Sequence, residues 1–76
     1  MKAKLVWNFT GDGALETADH HLAHLKQYCK GKKVEVIEFG VQQQNEFSAI
    51  SFVILNKDSA MSLRTVLKPH QGFFVD

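Results

Sequence analysis

"VEVIEFGVQQQNEFSAISFVIL", residues 34–55, decides the fold. Two apolar runs, "VEVIEFGV" at 34–41 and "FSAISFVIL" at 47–55, flank a short polar segment, "QQQNE". Valine, isoleucine and phenylalanine suit a pleated, half-buried surface. A brief polar break between two such runs predicts a β-hairpin. What lies on either side of the hairpin then fixes the architecture.

Upstream, residues 14–30 have helical spacing, with Leu15, Ala18, Leu22, Leu25 and Cys29 on one stripe. Glu16 and Asp19 come early and Lys26 and Lys30 late, as the helix dipole favours. Asp12 of "GDG" is the expected N-terminal cap and Gly31 the expected C-terminal one. Before the helix, "KAKLVWNFT" at 2–10 alternates like a strand. Ala3, Leu5, Trp7 and Phe9 point one way; Lys2, Lys4, Val6, Asn8 and Thr10 point the other.

Downstream, residues 58–68 predict a shorter helix capped by Asp58 or Ser59. Ala60, Leu63, Val66 and Leu67 form its inner side, and Met61 falls off that stripe. Pro69 ends it, because the residue before a proline avoids helical geometry. "GFFV" at 72–75 is a last short strand.

The element order is β-α-β-β-α-β. Right-handed crossovers then predict an α+β fold: a four-stranded antiparallel sheet with both helices on one face. Over the whole chain this order resembles the ferredoxin-like βαββαβ plait. More narrowly, it resembles the dimeric α+β barrel group of small bacterial proteins. "WNFTGDGALETADHHLAHL", 7–25, is similar to the openings of small uncharacterised bacterial proteins. The barrel resemblance implies pairing of two copies, or a small cofactor-independent enzyme using a histidine as acid or base. The opening carries no chemistry with it.

Seventy-six residues make a single domain, 1–76. A domain near this size buries only roughly 60% of its surface. Its core is marginal, so a metal, a disulfide or a partner is a natural supplement. Cys29 is the only cysteine, which excludes an internal disulfide and suits a reducing cytoplasm. "MKAKLVWNFTGDG" lacks the apolar run of a signal peptide, and no stretch approaches the roughly 20 apolar residues of a membrane span. With a formal charge of +1, neither nucleic acid nor anionic lipid is expected as a partner.

A partner chain is the expected supplement. Leu5, Trp7, Phe9, Ile37, Phe39 and Val41, with Ile50, Phe52 and Ile54, supply the sheet face under the helices. The opposite face then carries Val6, Val34, Val36, Ala49, Val53 and Leu55, mixed with Lys4, Asn8, Glu38 and Ser51. Six apolar side chains on an open sheet form a patch of roughly several hundred Å², near the limit that monomers tolerate. They are the expected homodimer interface.

Three of the four histidines lie in "ETADHHLAHLKQY", 16–28. His20 and His24 fall opposite the Leu22 stripe, beside Glu16 and Gln27, on a face exposed to water. Histidines four apart can share a divalent ion, with Glu16 adding an oxygen, but a structural zinc wants four ligands and a catalytic one three. No metal or other cofactor is expected. His21 sits at the stripe's edge near Leu25 and Tyr28. Topology places His70, after the second helix, near the start of the first. His21 and His70 are therefore the candidate catalytic residues and the candidate polar groups of a small-molecule pocket, with Trp7, Phe9 and Tyr28 as its candidate walls. The competing reading of Trp7 and Phe9 is plain core.

Other chemistry is missing its signature. "GDG" lacks the spaced glycines and lysine of a phosphate loop, and there is no GxSxG elbow and no CxxC. Cys29 falls late on the core stripe, where the helix dipole disfavours a thiolate. "KGKK" at 30–33 is a solvated basic turn. What remains is a binding or regulatory module, with the histidine enzyme and a ligand-free interaction protein as alternatives.

Overall fold

The computed structural model describes residues 1–75. The elements are β1 (Lys2–Thr10), α1 (Ala14–Gly31), β2 (Val36–Asn45), β3 (Ser48–Asn56), α2 (Lys57–Leu67) and β4 (Gln71–Val75). They build one antiparallel sheet in the order β2-β3-β1-β4. This is the ferredoxin-like α+β plait, with β1 and β3 in the middle and β2 and β4 at the edges.

The hairpin is tighter than its composition suggests. β2 runs on through the glutamines to Asn45, so only Glu46 and Phe47 turn the chain. Asn45 makes this possible: its Oδ1 accepts the Phe47 N–H at 2.8 Å. The Gly11 N–H then donates to the Phe47 carbonyl at 2.7 Å and ties the hairpin tip to the loop before α1.

The helix ends differ from expectation. Gly13, at φ 77°, precedes α1 with no side-chain cap, so Asp12 does not serve. That left-handed turn suits glycine. At the other end Gly31 is the last helical residue and Lys32 the cap. In α2 the cap is Asn56 rather than Asp58 or Ser59; its side chain accepts the Asp58 N–H at 3.0 Å. Lys68, at φ 50°, closes α2 immediately before Pro69.

The core joins Ala3, Leu5 and Trp7 of β1 to Val53 and Leu55 of β3, under Leu25 of α1 and Ala60 and Leu63 of α2. A smaller cluster packs Ala14 and Ala18 of α1 on Ala49. Leu15, by contrast, is 36% exposed and Val66 is 60% exposed, so both leave the stripes assigned to them.

The two sheet faces are the main correction. Residues directly opposite in a ladder share a face. Ala3 pairs with Leu55, Leu5 with Val53, Trp7 with Ser51 and Phe9 with Ala49. Ala49, Val53 and Leu55 therefore lie under the helices, while Ile50, Phe52 and Ile54 look away from them. Val36, opposite Leu55, and Val34 also pack on the helix-side core. The register shifts between Val36 and Glu38, which leaves Ile37 54% exposed and returns Phe39 to the inner side. Of the six residues expected on the uncovered face, Val6 alone is there. That face instead carries Val6, Ile50, Phe52, Ile54, Phe73 and Val75, with Lys2, Lys4, Glu38 and Gln42 among them.

Candidate functional site

His21 comes down from α1 onto the middle of the sheet. Its Nδ1 lies 2.8 Å from the Ser51 Oγ. Its ring centroid is 4.9 Å from that of Trp7 and 5.3 Å from that of Phe9. Burial first, and then the nearby charges of His24 and His70, push its pKa below the usual histidine value. The imidazole is thus held neutral by its surroundings. Ser51 has no exposed surface and is the one buried polar residue in the described core. A serine within reach of a histidine is the geometry of an activated nucleophile, but this hydroxyl lies between the layers with no approach for a substrate. The pair satisfies a polar group that would otherwise be buried alone.

Trp7 is 4% exposed, and its Nε1–H donates to the Leu67 carbonyl at 3.2 Å. It pins the end of α2 to the sheet. Phe9 and Tyr28 are half-buried against the same core. Trp7, Phe9 and His21 thus fill the space assigned to a pocket.

His70 has other partners. Its Nδ1 accepts the Asn8 N–H at 2.8 Å, and its own backbone N–H donates to the Val6 carbonyl at 2.9 Å. An accepting Nδ1 places the ring proton on Nε2. His70 thereby extends the β1–β4 ladder one step with its side chain. His70 stands exposed at the sheet edge rather than in the core.

His20 and His24 are exposed, with ring centroids 4.5 Å apart edge to face, and Glu16 is exposed on the same helix. Among the described residues no group of three or more histidine, cysteine, aspartate or glutamate side chains could hold a metal ion. Cys29 is buried, and burial pushes its thiol pKa up.

An open groove of about 340 Å³ lies elsewhere, between α2 and β4. Ala3 and Leu5 form its floor, Met61 and Arg64 one wall, Gly72 and Phe74 the other. It exists because α2 leans on β1 and β3 and leaves the edge strand uncovered, with no side chain on Gly72 to fill the gap. Phe74 is 59% exposed, and the Lys57 Nζ stands 5.5 Å from its ring centroid. Two sequence features pointed here: Met61 off its stripe, and paired phenylalanines on a short final strand. Of the candidate residues, His70 alone reaches this groove.

On the far side of the sheet, Phe52 lies across Gly40, its partner in the ladder. A side chain at position 40 would collide with the ring. The Lys4 Nζ stands 4.3 Å from the same ring centroid. Val6 and Ile50 are covered by their neighbours, whereas Phe73 remains 47% exposed.

No family model, no curated protein and no solved structure matches the chain. Among the described residues no helix is long and apolar enough to cross a membrane.

Proposed function

We propose that this protein is a small binding module that works as a homodimer, two copies stacking their uncovered sheet faces. The observation behind this reading is the apolar surface made by Phe52, Ile54, Phe73 and Val75 on the side without helices, over Val6 and Ile50, which their neighbours already cover. Gly40 lets Phe52 lie down, which turns that surface into a platform rather than a set of protruding rings.

The dimensions fit. The shortest extent of the molecule, 19 Å, corresponds to one sheet and one helix layer, and the other two are 34 and 25 Å. A stable interface takes roughly 800 Å² from each partner, which a side of that breadth can supply. Stacked sheets sit about 10 Å apart with interdigitating side chains. Apolar burial contributes about 25 cal/mol per Å², set against the entropy lost on association. Cys29, single and buried, suits a reducing cytoplasm.

Light scattering behind size exclusion tests the pairing. A mass twice the 8.6 kDa of one chain is expected. A mass of one chain at every concentration contradicts it.

The alternative of a histidine enzyme rests on His21, whose pKa burial pushes below the usual histidine value. That reading needs a substrate path to a ring now packed against Trp7 and Phe9. Loss of turnover in His21→Gln, with the fold intact, would support it once a substrate is in hand.

A further inference from the structure

The groove between α2 and β4 is lined by apolar side chains together with Arg64, His70 and Gln71, and among the described residues no aspartate or glutamate lines it. Its charge comes from Arg64 in the wall and Lys57 above the Phe74 ring at its rim. Helical spacing explains the alignment: positions 57, 61 and 64 follow one another along one flank of α2, the flank that faces β4. The acidic residue of this helix, Asp58, sits in its first turn and is not part of the lining.

We infer that this groove binds an aromatic carboxylate. It deepens the binding half of the proposed function and does not depend on the pairing half, because the groove opens on the helix side of the sheet. The volume of about 340 Å³ falls at the small end of ligand pockets and suits one or two fused rings. The floor of Ala3 and Leu5 and the missing side chain at Gly72 leave a slot for a flat body. Phe74, exposed and at the edge, offers a face for offset stacking. The guanidinium of Arg64 matches a carboxylate with two parallel N–H donors, which a lysine cannot reproduce. An aromatic cation would meet two like charges, and a neutral ring would leave Arg64 unused.

The test is 2-naphthoate titrated into ¹⁵N-labelled protein, with 2-naphthamide as its uncharged match. Naphthoate is expected to shift the Gly72 and Phe74 amide signals to saturation. Naphthamide is expected to bind on the order of tenfold more weakly, because it lacks the charge-assisted pair. Arg64→Gln should shrink that difference to the residual attraction of Lys57, and Arg64→Lys should restore it only in part. Equal binding of the two probes, shifts elsewhere only, or an Arg64→Gln protein that prefers naphthoate as strongly as before would overturn the inference. So would inorganic phosphate competing as well as naphthoate, which would leave an anion site with no use for the ring. Light scattering on the same samples keeps the two claims apart. A single chain that binds naphthoate ends the pairing and keeps the groove, and a pair that ignores naphthoate does the reverse.

Discussion

Phe52 on β3 and Gly40 on β2 face each other across the ladder, and the phenyl ring occupies the space that any side chain at position 40 would need. The contact lies on the sheet face without helices. A central aromatic side chain is thereby held flat against backbone, with the Lys4 ammonium above it. Cation–ring contacts of this kind contribute about 0.5–1 kcal/mol where exposed.

Gly40→Ala tests the relationship. The new methyl must displace the ring, and crowding of this sort costs about 1–3 kcal/mol. Urea denaturation should show that loss. In a Phe52→Ala background the same change should cost far less, since its collision partner is gone. An equal cost in both backgrounds would mean that the strain lies in the backbone and not in the ring.

His21 makes stability depend on pH. Its folded pKa lies below the unfolded value of roughly 6.5. The unfolded chain therefore binds the proton first as the solution is acidified. Stability from this group is complete above about pH 6.5 and is lost as pH falls from there through the folded pKa. Denaturation midpoints should decline over that range, and His21→Gln should flatten the decline. A His21→Gln protein with an unchanged slope would assign the dependence to other groups.

Trp7→Phe removes the indole N–H that donates to the Leu67 carbonyl and leaves a small void in the core. The combined cost should be about 1–3 kcal/mol. The amides of α2 should lose more hydrogen-exchange protection than those of α1, because the lost bond holds the end of α2.

Asn56→Ala removes the α2 cap, and a loss of about 0.5–2 kcal/mol is expected. Asp58→Ala should cost less, because Asp58 lends only its backbone N–H to that bond. The reverse order in thermal melts would contradict the capping geometry.

The element order and most boundaries were legible because each strand and helix carries its own period and its own stop signals. The phase of β3 was not. In "FSAISFVIL" both alternating sets are apolar, and Ser51 is the one polar marker. Polarity alone sends Ser51 to water; the fold sends it inward because His21 reaches across from α1 to bond it. That bond between residues 30 apart in sequence has no local trace. The same choice sends Ala49, Val53 and Leu55 inward and Phe52 outward. On β2 the bulge at Ile37 breaks the period, so Val36 and Phe39 share a face that strict alternation forbids. The set expected on the open face is therefore wrong apart from Val6, since either phase of β3 turns apolar side chains to that side. His70 was placed at the correct sheet edge by topology. Its partner there, the Asn8 N–H, is a backbone group that residue identity does not announce.

The most direct measurement is isotope-filtered NMR on a mixture of labelled and unlabelled chains, read for contacts between copies. Contacts from Phe52, Ile54 and Phe73 of one copy to the same face of the other are expected. A protein with no such contacts at high concentration, or with contacts running through helix residues such as Leu15 and Val66, would contradict the pairing of open sheet faces.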